Sequence, residues 1–199
     1  MRRFSINFDY RCPFARNANE HVITGLEAGA PWDVTFAAFS LTAVHAEADD
    51  PPVWSDPTKR SELTALAAGL VVRDRHPERF LAAHRSLFGI RHDDGDDVRD
   101  DKVVRAALER AGVDADAVFA ELDAGWPFDT IRDEHEASVR AHAVFGVPTF
   151  VLEDRAVFVR LMNRPAGDAG LATRTVERVL DLIADEPTLN EFKHTTLPR

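Results

Sequence analysis

Cys12 is the one cysteine in a chain of 199 residues, and Pro13 follows it directly. A lone thiol closes no disulfide within its own chain, so it is inert, reactive, or joined to a second molecule. Proline suits the first position of a helix, where its missing N–H needs no partner. Cys12 is therefore expected at a helix start, where free N–H groups and the helix dipole favour a thiolate. Arg11 and Arg16 are close enough to add to that field, so the expected pKa lies below the ~8.5 of a free cysteine. Attack on a disulfide is the chemistry that such a thiolate performs. The competing use is a buried, unreactive cysteine acting as a small apolar side chain.

Other residues offer chemistry with equally plain alternatives. Phe14 is either an apolar wall beside Cys12 or simple core. Pro148 stands just before a strand pattern, where proline ends the preceding segment or supplies an unusual bond geometry. Arg160 and Arg164 flank Leu161-Met162-Asn163, and their guanidinium forks suit a ligand carboxylate or sugar, or else surface salt bridges. His135 and His142 share one face of a predicted helix with Ile131 and Val139. Helical zinc pairs stand three or four apart rather than seven, so metal is rejected in favour of histidines satisfied at an interface. The acidic run from His92 to Asp97 fails the calcium-loop pattern, which would place Ile90 at the first ligand position, and reads as a solvated loop. No phosphate-binding glycine loop, nucleotide fingerprint or Gly-x-Ser-x-Gly elbow occurs.

The elements that must position these residues follow from periodicity. Phe4, Ile6 and Phe8 alternate as in a strand, and Ala15, Ala18, Val22 and Leu26 mark the helix after Cys12, with Gly29 as its stop. A second strand is expected over Trp32 to Leu41, parallel to the first. Thr42 to Asp56, with Pro51 and Pro52, reads as loop. Helical stripes then dominate: Leu63 to Val71, Phe80 to Phe88, Val103 to Ala111, Val118 to Leu122, and a closing helix from about Thr130 to Phe145. Strand chemistry returns over Gly146 to Leu152, and a turn at Glu153, Asp154 and Arg155 pairs it with Ala156 to Leu161 as a hairpin. Val176, Val179, Leu180 and Ile183 mark a last helix before a polar tail.

Composition limits the partners. A formal charge of -10 repels polyphosphate, and with no basic stripe interleaved with aromatics nucleic acid is excluded. No stretch approaches the ~18 apolar residues of a membrane span, and the segment ahead of the cysteine is too short for a signal peptide's apolar run. A cytoplasmic chain without a membrane partner is expected, and both a monomer and a homodimer fit.

Strand, Cys-Pro at a helix start, strand, helical block, Val-Pro-Thr before a hairpin and a final helix together resemble the DsbA-like branch of the thioredoxin superfamily. Asp9-Tyr10-Arg11-Cys12-Pro13-Phe14-Ala15 and Gly146-Val147-Pro148-Thr149-Phe150 carry the resemblance. It implies an α/β thioredoxin-like fold with a mixed central sheet and an inserted all-helical subdomain. Residues 1–56 and 130–199 would form the thioredoxin-like domain and residues 57–129 the insertion. It further implies that Cys12 is the nucleophile and that Pro148 is cis and faces it. Backbone groups of Val147 would then be open to a peptide or a thiol ligand. Arg11, Pro13, Phe14, Arg16, Val147, Arg160 and Arg164 complete the candidate substrate site. The tail from Leu189 to Thr195 resembles actinobacterial members, some of which work with mycothiol as nitroreductases.

The family's Cys-x-x-Cys is here Cys-Pro-Phe-Ala, so Ala15 replaces the resolving cysteine and a dithiol cycle within one chain is ruled out. The leading expectation is a monothiol thiol-disulfide oxidoreductase with no tightly bound cofactor, in which a low-molecular-weight thiol, mycothiol or glutathione, is the cosubstrate that resolves a mixed disulfide. The alternatives are a glutathione- or mycothiol-dependent transferase, isomerase or nitroreductase, and a non-catalytic thioredoxin-fold binding protein. The family's 2-hydroxychromene-2-carboxylate isomerases typically carry serine at this position, and the retained thiol favours redox.

Overall fold

Alternation of Phe4, Ile6 and Phe8 builds the first strand, β1 (Arg2–Phe8), with all three side chains buried. The computed structural model describes residues 1–47 and 49–197. β2 (Trp32–Ala38), β3 (Thr149–Leu152) and β4 (Arg155–Phe158) complete one sheet in the order β2-β1-β3-β4. β1 runs parallel to β2 and antiparallel to β3, and β3 is antiparallel to β4. Ile6 therefore lies between Phe36 and Phe150, at the centre of the mixed sheet. Glu153 takes a left-handed conformation, φ 57°, at the tight turn joining β3 to β4.

β2 is shorter than its apolar pattern predicts. Ser40 accepts the Ala43 N–H at 3.1 Å and starts a one-turn helix, α2 (Leu41–Val44), inside the segment read as loop. Two 3-10 turns, Val53–Ser55 and Pro57–Lys59, follow.

Helix α1 (Pro13–Glu27) lies between β1 and β2 in sequence. The helical block comprises α3 (Arg60–Arg75), α4 (Pro77–His92), α5 (Asp101–Arg110), α6 (Ala115–Asp123) and α7 (Trp126–His142), and α8 (Ala169–Asp185) packs on α1. Asp100, Asp114 and Asp168 cap α5, α6 and α8 through their carboxylates. α7 begins and ends earlier than its stripe suggests. Pro127 fits its first turn, and left-handed Ala143, φ 50°, closes it.

One hydrophobic cluster joins the sheet to α3–α6 and α8. Its centre holds a polar relay that the apolar stripes do not reveal. The Tyr10 hydroxyl donates to Nδ1 of His84 at 2.8 Å, His84 Nε2 donates to Asn19 at 3.0 Å, and Asn19 donates to the Ala15 carbonyl at 2.8 Å. Phe8, Phe36, Phe80 and Phe88 surround the imidazole. Gly69 makes room for the phenol, since a Cβ there would stand 2.3 Å from the Tyr10 oxygen. At the sheet edge, Arg73 donates to the Phe36 carbonyl at 2.7 Å and Glu134 accepts the Ala38 N–H at 2.6 Å. These helical side chains answer backbone groups that an open edge strand would expose.

Desolvation holds the His84 pKa down at about 3, so the ring is neutral in the folded chain. An unfolded histidine takes a proton near pH 6.5, so the stability this ring contributes is present above that pH and lost as pH falls towards 3. His84→Leu should destabilise the fold by about 1–3 kcal/mol for each of the two partners it orphans, Tyr10 and Asn19. Urea denaturation at pH 7 and pH 5 checks this: the variant should lose less stability between the two values than the parent does.

Candidate active site

The turn from β1 into α1 is pinned by one carboxylate. Asp9 accepts the Arg11 N–H at 2.9 Å and the Leu41 N–H at 2.8 Å, while its backbone carbonyl accepts the Cys12 N–H at 3.1 Å. His92 of α4 donates to the Tyr10 carbonyl at 2.9 Å. Tyr10 is thus gripped at its side chain by His84 and at its backbone by His92, two residues before the cysteine.

Cys12 then serves as the N-cap of α1. Its sulfur accepts the Ala15 N–H at 3.4 Å and lies 3.3 Å from the Val147 carbonyl, to which the thiol donates. The Val147–Pro148 bond is cis, and both residues are buried. The two sequence motifs therefore meet at the sulfur, with only 7% of Cys12 exposed.

That burial overturns the expected acidity. Desolvation pushes the Cys12 thiol up, the N–H groups of Ala15 and Phe14 pull it down, and the charge of Asp9 pushes it up again, leaving it raised overall. The arginines do not reverse this, because each faces a carboxylate. Arg11 pairs with Glu62 and donates to Thr42 at 2.8 Å. Buried Arg16 pairs with Glu20 at 2.9 Å and with Asp93. Arg164 joins the same pair of acids at 3.4 and 3.5 Å.

Arg160 stands apart from these ion pairs. It is exposed, its guanidinium lies 5.3 Å from the Phe14 ring and 6.0 Å from the Phe158 ring, and no carboxylate pairs with it among the described residues. Exposed Pro13 and half-buried Phe14 occupy the first turn of α1 beside the sulfur. The segment carrying Arg160 and Arg164 is tied to α1, since Asn17 donates to the Leu161 carbonyl at 2.8 Å and His21 to the Asn163 carbonyl at 3.2 Å. Of the predicted residues, Cys12, Val147 and Pro148 converge, while Arg11, Arg16 and Arg164 brace the surroundings through ion pairs.

Asp9, Tyr10, Asn19, His84 and His92 set the site yet escaped sequence reasoning. A signal existed in Asn19, Glu20 and His21, three consecutive polar residues in a helix with an apolar stripe, all of which are buried. His135 differs from its expected role as a satisfied histidine: it is buried against Phe39 and Trp54, but its Nδ1 has no hydrogen-bond partner among the described residues.

Among the described residues no helix is long and apolar enough to cross a membrane. The sequence matches the model of the DSBA-like thioredoxin domain over residues 5–163. No curated protein matches it. Among solved structures, a probable DsbA oxidoreductase from Streptomyces coelicolor is similar at 20% identity, covering 100% of this chain and 94% of that one with a TM-score of 0.59. A 2-hydroxychromene-2-carboxylate isomerase is similar at 15% identity, with 92% and 98% covered and a TM-score of 0.61. The cytosolic disulfide reductase DsbM from Pseudomonas aeruginosa, solved with GSH, is similar at 14% identity, with 90% and 100% covered and a TM-score of 0.61. At these identities the likeness establishes the thioredoxin-like fold.

Because only the thiolate is alkylated, the rate of Cys12 modification by iodoacetamide should keep rising through pH 8.5 and level off above it. Asp9→Asn removes a nearby negative charge and should move that midpoint down. A wild-type midpoint below the ordinary cysteine range would show that the helix start outweighs burial.

Proposed function

We propose that this chain, which belongs to the family of DSBA-like thioredoxin domains, is a thiol–disulfide oxidoreductase that works with one cysteine and an external small thiol. The observation that supports this most is the environment of the sulfur: it caps α1 beside the Val147 carbonyl, with the methyl side chain of Ala15 where a second thiol would stand. Attack of the Cys12 thiolate on a disulfide RSSR forms the bond from Cys12 to one sulfur and releases the other as a thiolate. A second small thiolate then attacks the mixed disulfide, forms a new small disulfide and returns Cys12 to its reduced state. Over one cycle one small-thiol sulfur is oxidised and one sulfur of the starting disulfide is reduced, and no second cysteine takes part.

A raised pKa is compatible with this cycle. It lowers the thiolate fraction at neutral pH, but intrinsic nucleophilicity rises with pKa, so part of the loss is recovered. Glutathione or mycothiol is the cosubstrate class, a choice supported by the similar disulfide reductase, solved with GSH. Arg160 at the Phe14 edge is the cation available to a carboxylate on that thiol. The cycle suits the cytoplasm, where small thiols keep cysteines reduced.

A second reading draws on the raised pKa itself. A neutral Cys12 thiol is a hydrogen-bond donor, already turned to the Val147 carbonyl. In a small-thiol-dependent transferase or isomerase it would donate to the sulfur of a bound thiol and never form a disulfide.

Turnover of a small mixed disulfide in the presence of excess glutathione or mycothiol separates the two. Cys12→Ser should lower the rate about 100-fold or more if Cys12 is the nucleophile, and should leave most of it if the bound thiol reacts. Ala15→Cys should shorten the life of the Cys12 mixed disulfide by supplying an internal attacker. A mixed disulfide on Cys12 that no small thiol can remove would contradict the proposed cycle.

A further inference from the structure

We propose that the free edge of β4 pairs, antiparallel and about a two-fold axis, with β4 of a second copy of this chain. The hydrogen-bond pattern of the hairpin shows which groups are free to do so. Val159 donates to the Pro148 carbonyl at 3.1 Å, so by the alternation of an antiparallel ladder Arg155, Val157 and Val159 turn their backbone groups towards β3. Ala156 and Phe158 turn theirs outward, and no backbone or side-chain group among the described residues bonds them.

The opposite edge of the sheet is treated differently. On β2, Arg73 and Glu134 answer the Phe36 carbonyl and the Ala38 N–H. β4 has no such cover, and neither lysine nor proline guards it. Arg155 does not guard it either, because its guanidinium is turned to the carbonyls of Ile183 and Ala184 at the end of α8, at 3.0 and 2.6 Å. Beside the edge, Phe145 stands 68% exposed against Phe158, their ring centroids 5.3 Å apart.

The order of residues along the edge selects both the partner and the register. Only residues with outward groups can exchange bonds across the new pair, so the axis passes through Ala156, Val157 or Phe158. With the axis at Val157, Ala156 faces Phe158 of the second copy, small against large, and the two exchange backbone bonds on both sides of the axis. Val157 then meets Val157, and Arg155 meets Val159. At the ends, Asp154 faces Arg160 of the second copy. Both are exposed, and neither has an ion-pair partner in its own chain among the described residues. An axis at Ala156 would set Asp154 against Phe158, and one at Phe158 would set Arg160 against Ala156, so either leaves both charges unanswered. Opposite charges facing across strands stabilise the pair. A second copy supplies the matching order by symmetry alone.

The pairing draws on Arg160, whose guanidinium lies 5.3 Å from the Phe14 ring. Association therefore competes with an anion for that charge, a consequence that rests on the thiol reading above, whereas the pairing itself does not.

A contact built on one short strand belongs to the weak class of interface, so the full chain should pass from monomer at about 1 µM towards dimer at about 500 µM. Sedimentation equilibrium measures this, with a reductant present so that no Cys12 disulfide joins the copies. Amide exchange followed by NMR should slow at Ala156 and Phe158 as the dimer forms. Asp154→Arg or Arg160→Asp alone sets like charges opposite each other and should weaken the dimer about tenfold. The double variant, Asp154→Arg with Arg160→Asp, puts opposite charges face to face again and should recover it. Both positions are exposed, so none of these variants disturbs the core. A chain that stays monomeric throughout would overturn the proposal, as would a dimer that the single reversals do not weaken or that leaves those two amides unprotected. None of these outcomes depends on turnover by Cys12, so the thiol cycle stands or falls separately.

Discussion

The structure turns on one contact: the sulfur of Cys12 held between the first N–H groups of α1 and the carbonyl of Val147. The two segments lie 135 residues apart in sequence, and the sheet brings them together because β1 is paired with β3. A reactive thiol must be reachable, yet this one is nearly enclosed. The molecule resolves that conflict by spending its electrostatic resources on holding the turn still rather than on ionising the sulfur.

Asp9 shows how. Its carboxylate accepts the N–H groups of Arg11 in the turn and Leu41 of α2, its backbone carbonyl accepts that of Cys12, and the same carboxylate sets a negative charge beside the thiol. The arginines follow the same economy. Arg16, nearly buried, must be paired, and Glu20 and Asp93 answer it while Arg164 extends the cluster to the chain after β4. Those pairs fix the geometry around Cys12 and cancel the field that unpaired arginines would exert. Arg160, which no carboxylate among the described residues pairs with, stands at the aromatic edge of Phe14 and Phe158, where a ligand anion could use it.

Much of this fold is legible in the sequence because the signals are local. The alternation of Phe4, Ile6 and Phe8, the proline after Cys12 and the stripes of α3 to α8 each depend on a single element's buried face. The four strand segments named by periodicity do share one sheet. What escapes is non-local or competes with periodicity. Ser40 stops β2 early by capping α2, a choice that the apolar run through Leu41 conceals. The Tyr10–His84–Asn19 relay joins three segments that sequence spacing cannot align. The acidity of Cys12 is hidden for the same reason: the helix start is visible in Cys-Pro, whereas the burial that outweighs it depends on Val147, Pro148 and the packing around them. The buried helix face of His135 is legible in the stripe, but only the packed structure shows that its Nδ1 has no hydrogen-bond partner among the described residues.

The most direct test of a working lone thiol is the mass of the native chain after exposure to glutathione disulfide at pH 8 to 9. The account predicts a single glutathione adduct on Cys12, formed without denaturant and removed by added small thiol. A native chain that takes no adduct, while the urea-unfolded chain takes one readily, would contradict it and make Cys12 a core residue.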